Sequence, residues 1–213
     1  MKINYNYVVI EGNIGAGKTT LARKIADQYN AHLILEHFAD NPFLPKFYNE
    51  PEKYSFPLEL SFLASRYKQL KEELVPQDLF KSFTIADYYF MKSLVFAAST
   101  LSGDEYNLYR QIFYIIYGSV PKPDIYVYLH LNPDRLLQNI ERRGRPYEKT
   151  ITREYLQKIQ DSYFAFFRQN PENKYLVIDI NGVDYAANDK YYSRIIDTIF
   201  NEDINIGLNK VIL

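Results

Sequence analysis

The chain has 213 residues, 47% of them hydrophobic, and its formal net charge at pH 7 is -1. This length suits a single domain, or one domain with a lid, while the near-zero charge gives no bulk electrostatic case for nucleic acid or an anionic membrane as a partner. The absence of cysteine excludes disulfides and thiolate metal sites. No apolar run approaches the roughly 20 residues of a membrane span, and the N-terminus lacks a signal-peptide pattern, so we expect a cytoplasmic protein.

Short apolar runs alternate with segments of helical periodicity along the chain. The apolar runs predict five strands, over residues 7–10, 33–35, 83–86, 125–131 and 175–180. Apolar residues at helical spacing predict helices over residues 18–29, 56–75, 88–99, 107–117, 133–143, 152–168 and 191–200. Proline and asparagine between residues 40 and 57 predict a loop or a broken helix. This alternation predicts an α/β fold of three layers, with helices on both faces of a parallel five-stranded sheet.

Residues 12–19 read Gly-Asn-Ile-Gly-Ala-Gly-Lys-Thr and match the phosphate-loop pattern G-x-x-x-x-G-K-[ST], between a predicted strand and a predicted helix. The glycines let backbone N–H groups point at phosphate oxygens, and the helix N-terminus adds its positive dipole end. Lys18 can reach the β- and γ-phosphates, and the Thr19 hydroxyl can ligate Mg²⁺. The motif predicts a P-loop NTPase-type domain over residues 1–213. The residues expected to bind ATP are Gly12, Asn13, Ile14, Gly15, Ala16, Gly17, Lys18, Thr19 and Thr20.

Two carboxylates end predicted strands beside this loop, where ligands of such sheets bind. Glu36 follows the second strand and could accept a proton from an attacking hydroxyl; the alternative is a solvated glutamate at a strand end. Asp87 closes the third strand in a Walker-B arrangement, in which the aspartate holds Mg²⁺ directly or through water. It could equally cap the helix that follows. The guanine-reading motif N-K-x-D of GTPase switches is absent, which favours a kinase.

The segment 141–149, Glu-Arg-Arg-Gly-Arg-Pro-Tyr-Glu-Lys, carries three arginines beside glycine and proline. This composition suits a mobile lid, over about residues 141–150, that clamps phosphates and excludes water. A solvated charged surface is the alternative.

These residues, in this order, resemble the deoxyribonucleoside kinases from about Val8 to about Phe167. The similarity is strongest in EGNIGAGKTT, FADNPFLPKFY, EKYSFPLELSFLASRYKQL, VFA at 95–97 and RRGRPYE. The resemblance implies a homodimeric enzyme that transfers the γ-phosphate of ATP, with Mg²⁺, to the 5′-hydroxyl of a deoxyribonucleoside.

The resemblance also implies roles at the sugar and the phosphates. Glu36 matches the family's general base for the 5′-hydroxyl. Tyr48 and Glu148 match residues that bind the sugar 3′-hydroxyl, and Arg143 and Arg145 match lid arginines that contact phosphates. With Lys18, these two arginines complete the expected catalytic cations, and Asp87 is expected to serve both substrate and metal.

At the base, Phe96 matches an aromatic that stacks, while Glu59 and Arg66 match a glutamine and an arginine that read the base edge. Glutamine offers a donor and an acceptor, which suits adenine or cytosine, whereas an ionised carboxylate only accepts. Guanine presents adjacent N1–H and N2–H₂ donors, so Glu59 predicts deoxyguanosine over deoxyadenosine, as in the bacterial deoxyguanosine kinase branch. The alternative is that Glu59 pairs with Arg66 or Lys92 and never touches the base.

The sequence departs from the family pattern elsewhere too. Asn139 replaces an arginine one turn before the lid, and Lys92 stands where an aspartate is common. Tyr88 follows Asp87 where most members have an arginine that braces the catalytic carboxylate, so that brace is missing or supplied elsewhere.

Two other functions stay open from the sequence. A nucleoside monophosphate kinase would need basic residues for the substrate phosphate, but the segment from residue 36 to 66 is acidic and aromatic, with only Lys46, Lys53 and Arg66 basic. A nucleotide-binding regulatory protein without turnover would agree with the missing arginine after Asp87.

Overall fold

The computed structural model describes residues 3–37, 41–74 and 80–213. Three earlier predictions extend beyond this part. Residues 38–40 lie in one segment of family resemblance, residue 40 begins the predicted loop or broken helix, and residue 75 ends the predicted long helix. The strands form one sheet in the order β2-β3-β1-β4-β5-β6, and every pairing is parallel. Their bounds are β1 Tyr7–Gly12, β2 His32–Ile34, β3 Thr84–Ala86, β4 Ile125–His130, β5 Lys174–Asp179 and β6 Gly207–Ile212.

Helices cover both faces of this sheet, as predicted. They are α1 Lys18–Tyr29, α2 Leu44–Asn49, α3 Pro51–Leu74, α4 Met91–Thr100, α5 Gly103–Tyr117, α6 Pro133–Arg143, α7 Arg153–Gln169 and α8 Asp189–Phe200, with a 3₁₀ helix at Pro146–Glu148. Side chains alternate along β1: Val8 and Ile10 enter one hydrophobic core, while Tyr7 and Val9 enter the core on the opposite face. Among the described helices, none is both long and apolar enough to cross a membrane.

The predicted number of strands, five, is wrong because β6 adds a sixth at the edge of the sheet. Its residues alternate between half-buried and exposed, and none is fully buried. The strand therefore lacks the apolar run by which the other strands are identified, and its place depends on main-chain pairing with β5.

Of the two alternatives predicted for residues 40–57, a loop or a broken helix, the broken helix is confirmed from residue 44 onward, because α2 and the first turns of α3 follow one another with a break at Glu50. Pro51 occupies the first position of α3, where its missing N–H has no helical partner to lose. Pro57 lies inside the helix, where proline usually signals a break. Helix α3 therefore begins at Pro51, before the amphipathic stripe that predicts a helix from residue 56.

Candidate active site

The phosphate loop adopts the curled backbone that its glycines permit. Gly15 and Gly17 have left-handed φ values of +82° and +88°, and a Cβ on Gly15 would lie 2.9 Å from the Leu136 carbonyl oxygen. The Asn139 amide donates to the Gly15 carbonyl at 2.9 Å, and the Tyr185 hydroxyl donates to the Gly17 carbonyl at 2.8 Å. The N–H groups of Ile14 and Ala16 bond Asn13 within the loop, so an anion would be bound by the other N–H groups of the loop.

Two cavities meet at this loop, of about 520 Å³ and about 130 Å³. The larger, here the phosphate cavity, lies between the loop and residues Arg135, Arg142 and Tyr185. The smaller, here the acceptor cavity, is lined by residues that include Tyr48, Glu59, Arg66, Phe96, Tyr155 and Glu148. The residues that line both are Gly15, Lys18, Thr19, Glu36, Asp87, Arg143 and Arg145. A group held in one cavity therefore faces a group held in the other across these shared residues.

Asp87 connects the loop to Glu36. One carboxylate oxygen of Asp87 accepts a hydrogen bond from the Thr19 hydroxyl, and the other accepts from the Glu36 backbone N–H at 2.8 Å. The alternative that Asp87 caps the next helix is wrong, because α4 begins at Met91 and Phe90 holds its cap position. Hard oxygen ligands of this kind suit Mg²⁺, so Thr19 and Asp87 together fit the expected ion.

Glu36 lies buried between two cations. Its Oε1 accepts from Arg66, with Nε at 2.9 Å and a terminal guanidinium nitrogen at 2.7 Å, and its Oε2 contacts the Lys92 ammonium. The Glu36 side chain is only 9% exposed, so the alternative of a solvated glutamate is wrong. Burial alone would raise the pKa of Glu36, but Lys92 and Arg66 outweigh it and lower that pKa to about 2.

Where the family pattern has an arginine after Asp87 to contact this carboxylate, Lys92 and Arg66 contact Glu36 here. Tyr88, which stands in place of that arginine, is buried and donates its hydroxyl to Gln69 at 2.8 Å. The Arg66 guanidinium contacts Glu36 and donates to the Ser93 hydroxyl at 2.9 Å. It also lines the acceptor cavity, so its role at the base edge stays a prediction.

Glu59 remains apart from these cations. It is 2% exposed, and its Oε1 accepts from the Thr100 hydroxyl at 2.9 Å, whereas its Oε2 has no hydrogen-bond partner among the described residues. The alternative that Glu59 pairs with Arg66 or Lys92 is wrong, since both contact Glu36 instead. Burial raises the pKa of Glu59 to about 7, against the lowering effects of Arg66 and the Thr100 hydrogen bond.

The segment expected to act as a lid, residues 141–150, folds around a buried carboxylate. Helix α6 ends at Arg143, Gly144 takes a left-handed φ of +71°, and the 3₁₀ helix follows. Arg143 and Arg145 both contact the Glu148 carboxylate, at 2.6 Å and 3.2 Å. Glu148 is 5% exposed, so the segment is not merely a solvated charged surface. The Tyr147 ring stacks on Tyr48, with 6.1 Å between centroids, which places this segment against the acceptor cavity.

Sequence reasoning missed three residues that contact the site. Glu11 is fully buried, accepts from the Tyr89 N–H and the Tyr163 hydroxyl, and has a pKa raised by burial to about 7. Burial also affects Lys18, which the phosphate-loop motif does predict, and lowers its pKa to about 8. Glu11 adjoins the loop motif, which is a usable signal, but Tyr185 and Thr100 belong to no motif and are found only by their contacts.

This chain is similar in sequence and fold to known proteins. The family model described as deoxynucleoside kinase matches residues 8–205. A deoxyguanosine kinase of Bacillus subtilis (strain 168) is 38% identical over 194 residues, which cover 89% of this chain and 93% of that protein. A deoxyadenosine kinase of Dictyostelium discoideum is 31% identical over 183 residues, which cover 84% and 74%. A structure of deoxyadenosine kinase from M. mycoides, 24% identical, has a TM-score of 0.76 over 92% of this chain and 98% of its own, and shows the shared fold.

Proposed function

The chain belongs to the deoxynucleoside kinase family, and we propose that it transfers the γ-phosphate of ATP to the 5′-hydroxyl of a purine deoxyribonucleoside, with deoxyguanosine preferred over deoxyadenosine. One observation carries the base preference. Glu59 is buried on the wall of the acceptor cavity, and its Oε2 has no hydrogen-bond partner in the described part of the chain.

The preference for guanine rests on hydrogen-bond chemistry. An ionised carboxylate only accepts, which suits the adjacent N1–H and N2–H₂ donors of guanine. Because Arg66 and Lys92 are engaged by Glu36, Glu59 keeps its free oxygen for a ligand. A buried polar group without a partner is costly, so a ligand that satisfies it gains affinity and specificity. The related deoxyguanosine kinase supports this choice, and the related deoxyadenosine kinase makes adenine its main competitor.

In the proposed reaction, ATP binds along the phosphate loop and the nucleoside binds in the acceptor cavity. The 5′-oxygen attacks the γ-phosphorus, the bond from that phosphorus to the leaving ADP oxygen breaks, and the hydroxyl proton passes to Glu36. Lys18, Arg143 and Arg145 line both cavities, which supports their role in neutralising the phosphoryl charge. Lys92 and Arg66 lower the pKa of Glu36, which keeps its carboxylate ionised and able to orient the hydroxyl that it deprotonates.

Mg²⁺ would be held by Thr19 and Asp87 and would neutralise charge on the β- and γ-phosphate oxygens. The hydrogen bond between the two side chains supports this assignment, since one ion can be ligated by both oxygens.

The remaining assignments concern the nucleoside and the lid. We assign Tyr48 and Glu148 to the sugar 3′-hydroxyl and Phe96 to stacking on the base, since all three line the acceptor cavity. Residues 141–150 act as a lid within a single domain over residues 1–213. Arg143 and Arg145 would then exchange part of their contact with Glu148 for phosphate oxygens.

We also propose that two copies associate through α5. Its outer surface carries Leu108, Tyr114 and Ile115, which are 50%, 48% and 80% exposed, with Ile112 partly buried between them. Leu108, Ile112 and Ile115 follow i, i+4, i+7 spacing and so share one helix face, which Tyr114 flanks; this apolar face indicates a surface that a second copy covers.

A coupled phosphorylation assay with ATP and Mg²⁺ tests the function. The acceptors are deoxyguanosine, deoxyadenosine, deoxycytidine, thymidine and their monophosphates. We expect the highest kcat/KM with deoxyguanosine. A maximum with deoxycytidine or deoxyadenosine would contradict the proposed role of Glu59, and activity confined to monophosphates would contradict the nucleoside assignment.

A further inference from the structure

Thr100, the last residue of α4, faces two hydrogen-bond acceptors at once. Its hydroxyl oxygen lies 2.9 Å from Oε1 of Glu59 and 3.0 Å from the backbone carbonyl oxygen of Phe96. A hydroxyl has one proton, so it donates to only one of the two at a time. A neutral Glu59 can carry its proton on Oε2, which has no hydrogen-bond partner among the described residues, while Oε1 keeps its contact with Thr100. The same geometry therefore accommodates either protonation state of Glu59.

The two states present different groups to a base. An ionised Glu59 only accepts and suits guanine. A neutral Glu59 has one O–H donor and a carbonyl acceptor, like the amide of glutamine, and suits the N1 acceptor and N6–H₂ donor of adenine. Glu59 is almost fully buried, and its Oε2 has no protein partner among the described residues, so a base in the acceptor cavity would meet whichever group it presents.

We propose that Thr100 is a specificity-determining residue, which stabilises the ionised form of Glu59 by donating its hydroxyl proton and thereby favours guanine over adenine. Thr100 acts through Glu59 and does not line the acceptor cavity, so it is a positioning residue. This inference rests on the proposed function, because it requires that Glu59 contact the base.

The other charged and titratable groups around Glu59 act on its ionisation in both directions, so the Thr100 hydrogen bond can shift the balance. Arg66 on α3 and Lys92 on α4 favour the ionised form, while Glu36 after β2 opposes it. Three phenols also face it, from α2, α5 and α7: Tyr48, Tyr109 and Tyr155. Burial raises the pKa of each of these phenols, so they stay neutral at working pH. The pKa of Glu59, about 7, is close to the pH of the assay. Loss of one hydrogen bond to its carboxylate therefore changes the ionised fraction of Glu59 strongly.

The test compares kcat/KM for deoxyguanosine with kcat/KM for deoxyadenosine in three proteins: wild type, Thr100→Val and Thr100→Ser. Valine keeps the branched shape and removes the hydroxyl, so we expect the guanine-to-adenine ratio near pH 7 to fall about tenfold. Serine retains the hydroxyl, and we expect it to keep a ratio within about twofold of wild type. Circular dichroism checks that the variants fold, and Thr100→Ala replaces the valine variant if that one does not.

The Glu59→Gln variant separates this role from a purely structural one. Its amide does not titrate, so Thr100→Val should leave the ratio unchanged in that background. In wild type the ratio should rise between about pH 5.5 and about pH 8.5, around the pKa of Glu59, and Thr100→Val should move the rise to higher pH. An unchanged ratio in Thr100→Val, or an equal change in the Glu59→Gln background, would overturn the inference. Absence of phosphorylation of both nucleosides by wild type would instead overturn the proposed function.

Discussion

The Lys92 ammonium contacts one oxygen of the Glu36 carboxylate and Arg66 contacts the other, so the expected proton acceptor is held by two buried cations. Buried charges of opposite sign fix each other's position more firmly than exposed pairs do, because water does not compete for them. Lys92 should therefore be needed for turnover. We expect Lys92→Met to lower kcat about 10- to 100-fold and Lys92→Arg to recover most of it.

Steady-state kinetics with deoxyguanosine and ATP measure this effect. Lys68→Met, on the exposed side of α3, is the matched control and should keep the wild-type kcat. Equal activity in Lys92→Met and wild type would show that Arg66 alone positions Glu36.

Glu36→Gln should remove the proton acceptor while it keeps the shape of the side chain. We expect kcat to fall at least about 100-fold, with a much smaller change in nucleoside affinity. Single-turnover kinetics and a binding titration separate the two quantities. Glu52→Gln, an exposed residue at the start of α3, serves as control. Intact turnover in Glu36→Gln would remove Glu36 from the mechanism.

Glu59 should make stability depend on pH. Its folded-state pKa, about 7, lies above its ordinary value of 4.5. Its contribution to stability is therefore fully present below about pH 4.5 and is lost as the pH rises through about 7. Relative to wild type, Glu59→Gln should thus gain about 3 kcal/mol in unfolding free energy between pH 5 and pH 8.

Urea unfolding at about pH 5 and about pH 8 measures this difference. The exposed Glu52→Gln variant should differ from wild type equally at both values. A pH-independent difference for Glu59→Gln would mean that Glu59 titrates normally in the folded protein.

Tyr185→Phe removes the hydrogen bond to the Gly17 carbonyl without changing the ring. Because a bond of this kind contributes about 1 kcal/mol, we expect the KM for ATP to rise about fivefold while the KM for the nucleoside stays the same. Tyr192→Phe, whose hydroxyl bonds Gln28 on α1, is the matched control. If both KM values rise together in Tyr185→Phe, the residue supports the fold rather than the loop.

The proposed association through α5 is tested by Ile115→Lys, which places a charge in the exposed apolar surface. We expect size-exclusion chromatography with light scattering to show a dimer for wild type and a monomer for the variant. Leu208→Lys, on the exposed edge strand β6, should leave the mass unchanged. A wild-type monomer, or a dimer that Ile115→Lys does not disrupt, would contradict an α5 interface.

Elements with strong local signals could be predicted from the sequence. The bounds of α6 match the prediction at both ends, because Pro133 opens the helix, Asn132 caps it and Gly144 ends it in the left-handed conformation. The bounds of α1 match as well, since the phosphate-loop motif fixes where that helix begins. Strand β6 lacks such a signal, because an edge strand does not need a buried apolar run.

The parts of the site that have a local sequence signal could likewise be predicted. The loop, Glu36 and Asp87 follow from motif and strand ends, and the structure brings them together. The partners of Arg66 and Lys92 could not be predicted, because the sequence offers each cation two candidate carboxylates, Glu36 and Glu59. Only the packing of α3 and α4 against the end of β2 decides that they contact Glu36 rather than Glu59.

The position of Asp87 gives binding of the two substrates a thermodynamic link. One of its oxygens holds the loop threonine, and the other holds the backbone of Glu36. A phosphate donor that changes the first contact therefore changes the free energy of the second, and the effect must be reciprocal. Each substrate should accordingly alter the affinity for the other, even though the proposed function assigns them to different cavities.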